Sequence, residues 1–355
     1  MRMAACVGRP RSLLARRRAV LRDELITLAH GAGGKATRDL VEALFLEELG
    51  NDVLAVLGDA AVVPGGGRLA LSTDSYVVHP LEFPGGNIGE LAVNGTVNDL
   101  AMVGAKPLWL TAGFVIEEGF PIADLRRIVS SMGAAARSAG VAIVAGDTKV
   151  VERGKADGLF ITTSGVGTVA DGVDLGPNRI QPGDRVVLSG TLADHGMAVM
   201  VARGDLQLEA DIESDTAAVH ELAASLVGLG DGLRWMRDPT RGGLATALNE
   251  LAEASGLAVV LAETALPVRP AVNAACEILG IDPLYVANEG KLIAVVAPEL
   301  ADEALSLLRD SVLGREAVLI GEVRADPEGL VLLDTTLGGT RIVDMLVGDP
   351  LPRIC

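Results

Sequence analysis

Cysteine is nearly absent from this 355-residue chain: the three present, Cys6, Cys276 and Cys355, are an odd number at no metal-ligand spacing. That excludes a disulfide framework and a zinc site, and it suits a reducing, cytoplasmic setting. No uncharged apolar run reaches the roughly 18 residues that a membrane-spanning helix needs, so no membrane partner is expected. Basic side chains are outnumbered, 30 Lys and Arg against 47 Asp and Glu, and the net charge of −17 disfavours nucleic acid and anionic lipid alike. What is abundant points to a folded protein: 49% of the residues are hydrophobic, too many for a disordered chain. The length implies two domains at about 100–200 residues each. The 43 glycines follow no three-residue period, which rules out collagen and leaves tight turns and close backbone approaches.

Seven arginines and no acid precede Asp23, so residues 1–23 read as an Arg-rich disordered extension and the remainder carries about −24. Over 24–176 short β-like runs alternate with helical ones. Strands are predicted at 53–63, 68–73, 108–116, 141–145 and 159–165, and helices at 87–103 and 122–139. The "GPNRIQPGD" stretch reads as a linker at 177–183. In the second half, 177–335, strands are predicted at 185–189, 292–296 and 317–323, and helices at 195–201, 215–227, 241–254 and 301–308. The result is two α+β halves of similar size. Past Asp334 the sequence "TTLGGTRIVDMLVGDPLPRIC" has glycines, late prolines and no helical period, so 336–355 reads as a mobile tail able to deliver its terminal thiol.

Several motifs carry chemistry. "HGAGGK" places Gly31, Gly33 and Gly34 ahead of a helix start, where backbone amides can approach phosphate oxygens and Lys35 adds a point charge. It lacks the Walker A spacing, and read alone it is equally a structural glycine turn. Carboxylates recur at the ends of strands and helices: Asp59 in "LGDAAVV", Asp74 in "LSTDSYVV", Asp99 in "VNGTVNDLAMVGAKP", Asp147 in "VAGDTKVV" and Asp238 in "RDPTRGGL". Mg²⁺ takes hard oxygen ligands and bridges carboxylates to nucleotide phosphates, so acids beside glycines point to a metal–nucleotide site. Taken singly, each Asp also reads as a helix cap or turn former, Asp238 above all because Pro239 follows it.

In "RDPTRGGLATALNEL", Gly242 and Gly243 near the first turn of a helix make a second anion-facing amide end, or simply a well-capped amphipathic helix. Lys149 in "GDTKVV" and Glu289 in "YVANEGKLIAVV" are charges at strand ends. Such positions serve proton transfer, an ion pair or a solvated loop. The four histidines form no ligand cluster, and His79 and His195 read as polar loop or helix-start residues.

Together the segments "LAHGAGGK", "STDSYVVHPLEFPGGNIGELAVNGTVNDLAMVGAKP", "GDTKVVERGKADG", "DPTRGGLATALNE", "ANEGKL" and the terminal "PRIC" resemble, in that order, the hydrogenase expression/formation protein family HypE. The resemblance covers about residues 26–355. It is most specific at "PRIC", because the wider relatives (aminoimidazole ribonucleotide synthetase, selenophosphate synthetase, thiamine-monophosphate kinase) have no catalytic C-terminal cysteine.

The resemblance implies a two-domain PurM-like fold. Its N-terminal α/β domain pairs strands with a second subunit to close a barrel, so a homodimer is expected, and the C-terminal domain is α+β. It implies a maturation enzyme of [NiFe]-hydrogenase that uses ATP to dehydrate a thiocarboxamide on Cys355 to a thiocyanate. A HypF-type carbamoyltransferase would load the carbamoyl group, and a HypC–HypD-type complex would receive cyanide at iron.

By the family pattern Asp59, Asp99 and Asp238 would hold Mg²⁺. Gly31, Gly33, Gly34, Lys35, Asp74, Asn94, Asp147, Gly242 and Gly243 would line the nucleotide. Lys149 and Glu289 would form a polar pair at the modified thiol, with Glu289 the base. The competing expectation is a generic superfamily kinase or synthetase acting on a small amide or acid. Selenophosphate synthesis fits poorly because "HGAGGKAT" has no Cys, and thiamine-monophosphate kinase leaves "PRIC" unexplained. A third expectation is a non-enzymatic scaffold with a docking tail.

Overall fold

The computed structural model describes residues 34–40, 42–43, 54–58, 61–64, 67–204, 210–346, 348 and 354–355. The Arg-rich segment 1–23, Gly31, Gly33 and Asp59 lie outside the described residues. Among those described, no helix is long and apolar enough to cross a membrane.

The N-terminal part comprises α1 (Lys35–Leu40), β1 (Ala61–Pro64), β2 (Arg68–Tyr76), β3 (Glu82–Phe83), β4 (Gly86–Asn87), α2 (Ile88–Met102), β5 (Ala105–Glu117), α3 (Ile122–Ser138), β6 (Ala142–Val151) and β7 (Leu159–Val169). The strand expected over 53–63 is a 3₁₀ turn, Leu54–Val56, followed by the short β1. Leu57 between them has φ +51, a left-handed conformation that no continuous strand accommodates. Five strands form one sheet in the order β1-β2-β7-β5-β6.

One face of that sheet is covered by α2, which starts on the side chain of Asn87: its Oδ1 accepts from the amides of Gly89 (2.9 Å) and Glu90 (3.2 Å). α2 packs on α3 and on β2, β5 and β7, and it is buried on nearly every side. A helix buried this completely belongs to an interior, and its buried Asn94 and Asn98 spend their side-chain amides on long-range bonds. The opposite face of the sheet carries hydroxyl pairs, Thr73 with Ser164 (2.8 Å) and Ser75 with Thr162 (2.9 Å).

The connecting stretch holds a 3₁₀ turn, Pro177–Arg179. Beyond it come β8 (Arg185–Leu188), α4 (Asp194–Ala202), α5 (His220–Val227), β9 (Leu233–Arg237), α6 (Gly243–Ser255), β10 (Ala258–Ala262), α7 (Pro270–Leu279), β11 (Ile293–Val296), α8 (Ala301–Arg309), β12 (Val318–Arg324), β13 (Val331–Asp334) and β14 (Thr340–Ile342). Seven strands run in the order β14-β13-β10-β12-β8-β11-β9. Strand alternation builds two layers of core. Val186, Leu188, Ile293 and Val295 join the cluster that includes Met197 of α4 and Leu248 of α6, while Val187, Ala294 and Val296 join Leu226 of α5 and Leu308 of α8.

The helix expected at 215–227 starts only at His220, since the preceding residues spend their polar groups on long-range bonds described below. The ordered sheet runs past Asp334: β14 pairs with β13, and the amide of buried Val343 donates to the Val331 carbonyl at 2.8 Å.

Candidate active site

Five pieces of chain converge where the two halves meet. β2 ends at Asp74, Tyr76 and Val77. The turn into α6 carries Asp238, Arg241, Gly242 and Gly243. The loop before β11 carries Asn288, Glu289 and Lys291. The irregular stretch before α5 supplies Ser214, Asp215 and Thr216, and the fifth piece is the end of the chain, Ile354–Cys355.

Local chemistry holds each piece. Asn288 is fully buried, and its side-chain amide donates to the carbonyls of Pro239 (3.0 Å) and Val286 (3.0 Å), which stitches the Asp238 and Glu289 loops together. Gly243 has φ +61, and a Cβ there would stand 2.6 Å from two carbonyl oxygens, those of Leu284 and Val286. Only glycine fits. Gly242 caps α6 in the left-handed region with no side-chain acceptor, so the positive end of a 13-residue helix faces outward without a built-in anion.

The charges are strongly perturbed. Burial raises the Glu289 carboxyl well above its usual range, and Asp238, Asp74 and Asp215 add to the effect against the pull of Arg241. Burial likewise raises Asp238 to about 6. Its Oδ2 is buried with no hydrogen-bond partner, which is the state of an oxygen that a cation would satisfy. Asp74 is raised by burial and restrained by Arg241 and by the Ser75 amide at 2.8 Å. Arg241 is held above its ordinary value chiefly by Cys355, then by Asp74, Glu289 and Tyr76, against the opposing effect of burial. Burial works against ionisation of Asp215, yet Lys291 and His195 bring it below the usual carboxylate range. Its Oδ2 pairs with Lys291 at 2.9 Å and its Oδ1 accepts the Glu289 amide at 3.1 Å.

The tail residue Cys355 therefore lies in the cleft. A main-chain carboxylate oxygen of this terminal residue accepts the Val77 amide at 3.2 Å, and Ile354 beside it is 4% exposed. Of the other cysteines, Cys276 is buried, its thiol pushed up to about 11 by burial, which fits a structural role.

The structure brings together Asp74, Asp238, Glu289 and Cys355 from the sequence-expected set. Asp99 is nearby, as it and Asp74 both act on the Tyr76 hydroxyl, and its Oδ2 accepts from Ser72 at 2.5 Å. Among the described residues no group of three or more His, Cys, Asp or Glu gathers as a metal cluster, and Asp59 is not among them. Asn94 is buried and donates to Thr216 Oγ1 at 3.3 Å. Gly34 and Lys35 lie against the C-terminal stretch: the Lys35 amide donates to the Leu346 carbonyl at 3.1 Å, and a Cβ on Gly34 would come 2.5 Å from the same oxygen.

Asp147 and Lys149 stand apart from this cleft. They pair with each other at 2.5 Å on β6, an edge strand whose residues are nearly all exposed, and Lys149 is 68% exposed. Sequence reasoning missed Tyr76, Asn98, Arg241 and Lys291, although all four lie inside the quoted motifs. It also missed Asp215, for which no local signal exists.

This pair of domains around a cleft of carboxylates and a helix N-terminus defines a protein of the AIR synthase related class. The model described as AIR synthase related protein, N-terminal domain matches residues 57–169, and the one described as AIR synthase related protein, C-terminal domain matches 181–333. Within that class the chain belongs to the HypE family. It is 57% identical to Carbamoyl dehydratase HypE of Bradyrhizobium diazoefficiens over 94% of this chain and 97% of the relative. Among solved structures it is similar to a HypE–HypF complex (48% identity, TM-score 0.83, 86% of this chain and 99% of the other). It is also similar to a HypE in complex with ATP (47%, TM-score 0.78, 92% and 99%).

Proposed function

We propose that this chain is an ATP-dependent carbamoyl dehydratase that acts on a carbamoyl group carried by its own Cys355, producing the thiocyanate that furnishes the cyanide ligand of a [NiFe]-hydrogenase. The observation that carries this reading is the position of Cys355: the last residue of the chain lies beside Arg241, in a cleft that also holds Asp74, Asp238 and Glu289. The names of the similar proteins, Carbamoyl dehydratase HypE and HypE in complex with ATP, support it.

A carbamoyl oxygen is a poor leaving group. Phosphoryl transfer from ATP to that oxygen, with loss of one N–H proton, gives an S-bound iminophosphate and ADP. Departure of phosphate with the second N–H proton leaves S–C≡N. Glu289 takes a proton from nitrogen: its raised pKa makes the carboxylate form a strong base. Arg241 offsets the charge at the reacting sulfur and oxygen. Burial of Glu289 keeps water from the base. The amide end of α6 at Gly242 and Gly243, with Gly31, Gly33, Gly34, Lys35, Asp74, Asn94 and Asp147, is the proposed nucleotide surface.

Mg²⁺, when bound, would spread the charge of the transferring phosphoryl group. Asp238, whose buried Oδ2 lacks a partner, would hold it together with Asp99 and Asp59.

The protein is read as a cytoplasmic homodimer. β6 offers an open strand edge with Ile143, Val144 and Val150 exposed, and Trp109 of neighbouring β5 is exposed too. Unpaired edges of that length invite pairing. Lys149 and Asp147 sit on that edge, so they would join a site through the pairing of subunits. A HypF-type carbamoyltransferase is the proposed donor, supported by the similar HypE–HypF complex, and a HypC–HypD-type iron complex the proposed acceptor.

Mass spectrometry of the C-terminal peptide tests the reading. Incubation with the carbamoyl donor and ATP should add one carbamoyl group to Cys355 and then remove one water, and the Cys355→Ser chain should do neither. An unchanged mass in the natural chain would refute it.

A further inference from the structure

The histidine that the sequence leaves without a role is tied to the end of the chain. His195 is fully buried at the start of α4, and its Nε2 stands 2.5 Å from the carbonyl oxygen of Ile354, the residue before the reactive thiol. Its Nδ1 is 2.8 Å from Ser214 Oγ. The Ile354 carbonyl can only accept, so Nε2 must carry a hydrogen; Nδ1 of the neutral ring then accepts the Ser214 hydroxyl hydrogen, while Ser214 Oγ accepts the Thr216 amide at 3.1 Å. The proton on the neutral ring is therefore at Nε2, and Nε2–H donates to Ile354.

The ring is held on every side. Ser214 is itself fixed by its amide to the Pro84 carbonyl at 2.8 Å, and Thr216 accepts from Asn94 of α2. The Phe83 ring meets the imidazole edge-on, centroids 5.4 Å apart at 86°. Two residues before the histidine, Ala193 is held in the left-handed region at φ +72, where its amide donates to Asn288 Oδ1 at 2.7 Å. A non-glycine residue in that region persists only where its surroundings over-determine it, and such strain concentrates at working sites. Meanwhile the Cys355 terminal carboxylate is held by the Val77 amide. The Ile354 carbonyl and the adjacent terminal carboxylate are thus gripped, one from each half of the molecule.

We propose that His195 is a positioning residue that sets the register of the C-terminal tail, so that the Cys355 side chain is delivered to Arg241 and Glu289 and not one residue short of them. The proposal rests on the reading of Cys355 as the carbamoyl carrier. A carrier that must leave for a partner and return needs a docking contact on its backbone, since the side chain itself changes chemistry at each stage. A single neutral hydrogen bond suits that task, being strong enough to bias the docked state and weak enough to release it.

The test uses the full chain with His195→Leu, which fills the space without a donor, and His195→Gln, whose amide restores one. Two quantities are read: the rate of Cys355 alkylation by iodoacetamide without ATP, and single-turnover conversion of carbamoylated Cys355 at saturating ATP, with the KM for ATP alongside. In His195→Leu alkylation should rise and conversion should fall, each about tenfold, while the KM for ATP stays within about twofold; His195→Gln should stay within about threefold of the natural chain. Natural alkylation and conversion in the Leu variant would overturn the proposal. So would equal losses in both variants together with lost ATP affinity, because that pattern marks damage to the fold. Absence of thiocyanate in the natural chain would count against the proposed function instead, and the alkylation arm would still decide whether His195 holds the tail.

Discussion

Asn98 of α2 donates to the backbone carbonyl of Glu289 at 3.3 Å across the junction of the two halves, although 191 residues separate them in sequence. The same side chain donates to the Ala217 carbonyl at 2.9 Å and accepts the Val219 amide at 2.8 Å, and Asn98 is 1% exposed. One buried amide therefore positions the proposed base and the stretch that carries Asp215. Asn98→Leu keeps the volume but orphans the Ala217 carbonyl and the Val219 amide and leaves the Glu289 carbonyl only the Ala217 amide at 3.5 Å. Its stability should fall by about 2–4 kcal/mol in urea unfolding, and turnover should drop more than ATP affinity does.

Asp238 gives a pH-dependent expectation with a definite sign. Its folded-state pKa, raised to about 6 by burial, lies above the ordinary 3.8. The folded protein holds this proton more tightly than the unfolded chain, so the residue's contribution to stability declines as pH rises from about 4 to about 6 and is constant above. Asp238→Asn removes that titration. Without nucleotide the variant should be more stable than the natural chain at pH 7 by on the order of 3 kcal/mol, and the two should converge near pH 4. Adding Mg²⁺ and ATP should raise the melting temperature of the natural chain and raise that of the variant much less. Calorimetry over pH 4–7 reads both effects.

Much of this site follows from short-range signals, and the remainder could not. α2 is marked by the Asn87 cap and by its many small and apolar residues, and the turn at Gly242 and Gly243 by its glycines. These features act within a few residues, so the chain itself announces them. His195 and Ile354 are 159 residues apart, and nothing near either predicts their bond. The stretch 215–219 looks helical by periodicity. It is held irregular because Ser214 is bonded to Pro84, Asp215 to Lys291, and Ala217 and Val219 to Asn98, contacts that outweigh local preference. Lys149 is expected beside Glu289 from the sequence; it stands on the exposed edge strand β6, paired with Asp147 and apart from the cleft.

Gly290, between the base and the lysine that pairs with Asp215, has no room for a side chain. A Cβ there would stand 1.7 Å from the backbone oxygen of Asp215. Backbone cannot yield as a flexible side chain does, so Gly290→Ala must push the Glu289 loop and the Asp215 stretch apart. Expected are a loss of stability of about 3 kcal/mol or more and no measurable dehydration even where folded protein is recovered. Gly256→Ala is the informative comparison. That glycine caps α6 at φ +72 with open space around it, so it should cost only about 1 kcal/mol and leave turnover intact.

The strand edge at β6 carries the remaining expectation. Val144 and Val150 are 60% and 67% exposed on it, while Trp109 on adjoining β5 is 51% exposed. Apolar groups set along an unpaired edge are an aggregation hazard unless another strand covers them, and a symmetric partner covers them at no cost in new sequence. In a two-fold interface every substitution occurs twice, so Val144→Lys places two buried cations near the axis. Light scattering at micromolar concentration should show a dimer for the natural chain and a monomer for Val144→Lys. Val312→Lys, at a position 76% exposed on a different part of the surface, should remain dimeric. Because Lys149 lies on the same edge, the monomeric variant should also lose dehydration of carbamoylated Cys355 while Cys355 itself stays in the chain to be loaded. A Val144→Lys protein that stays dimeric would move the interface elsewhere and leave Lys149 without a route to the thiol.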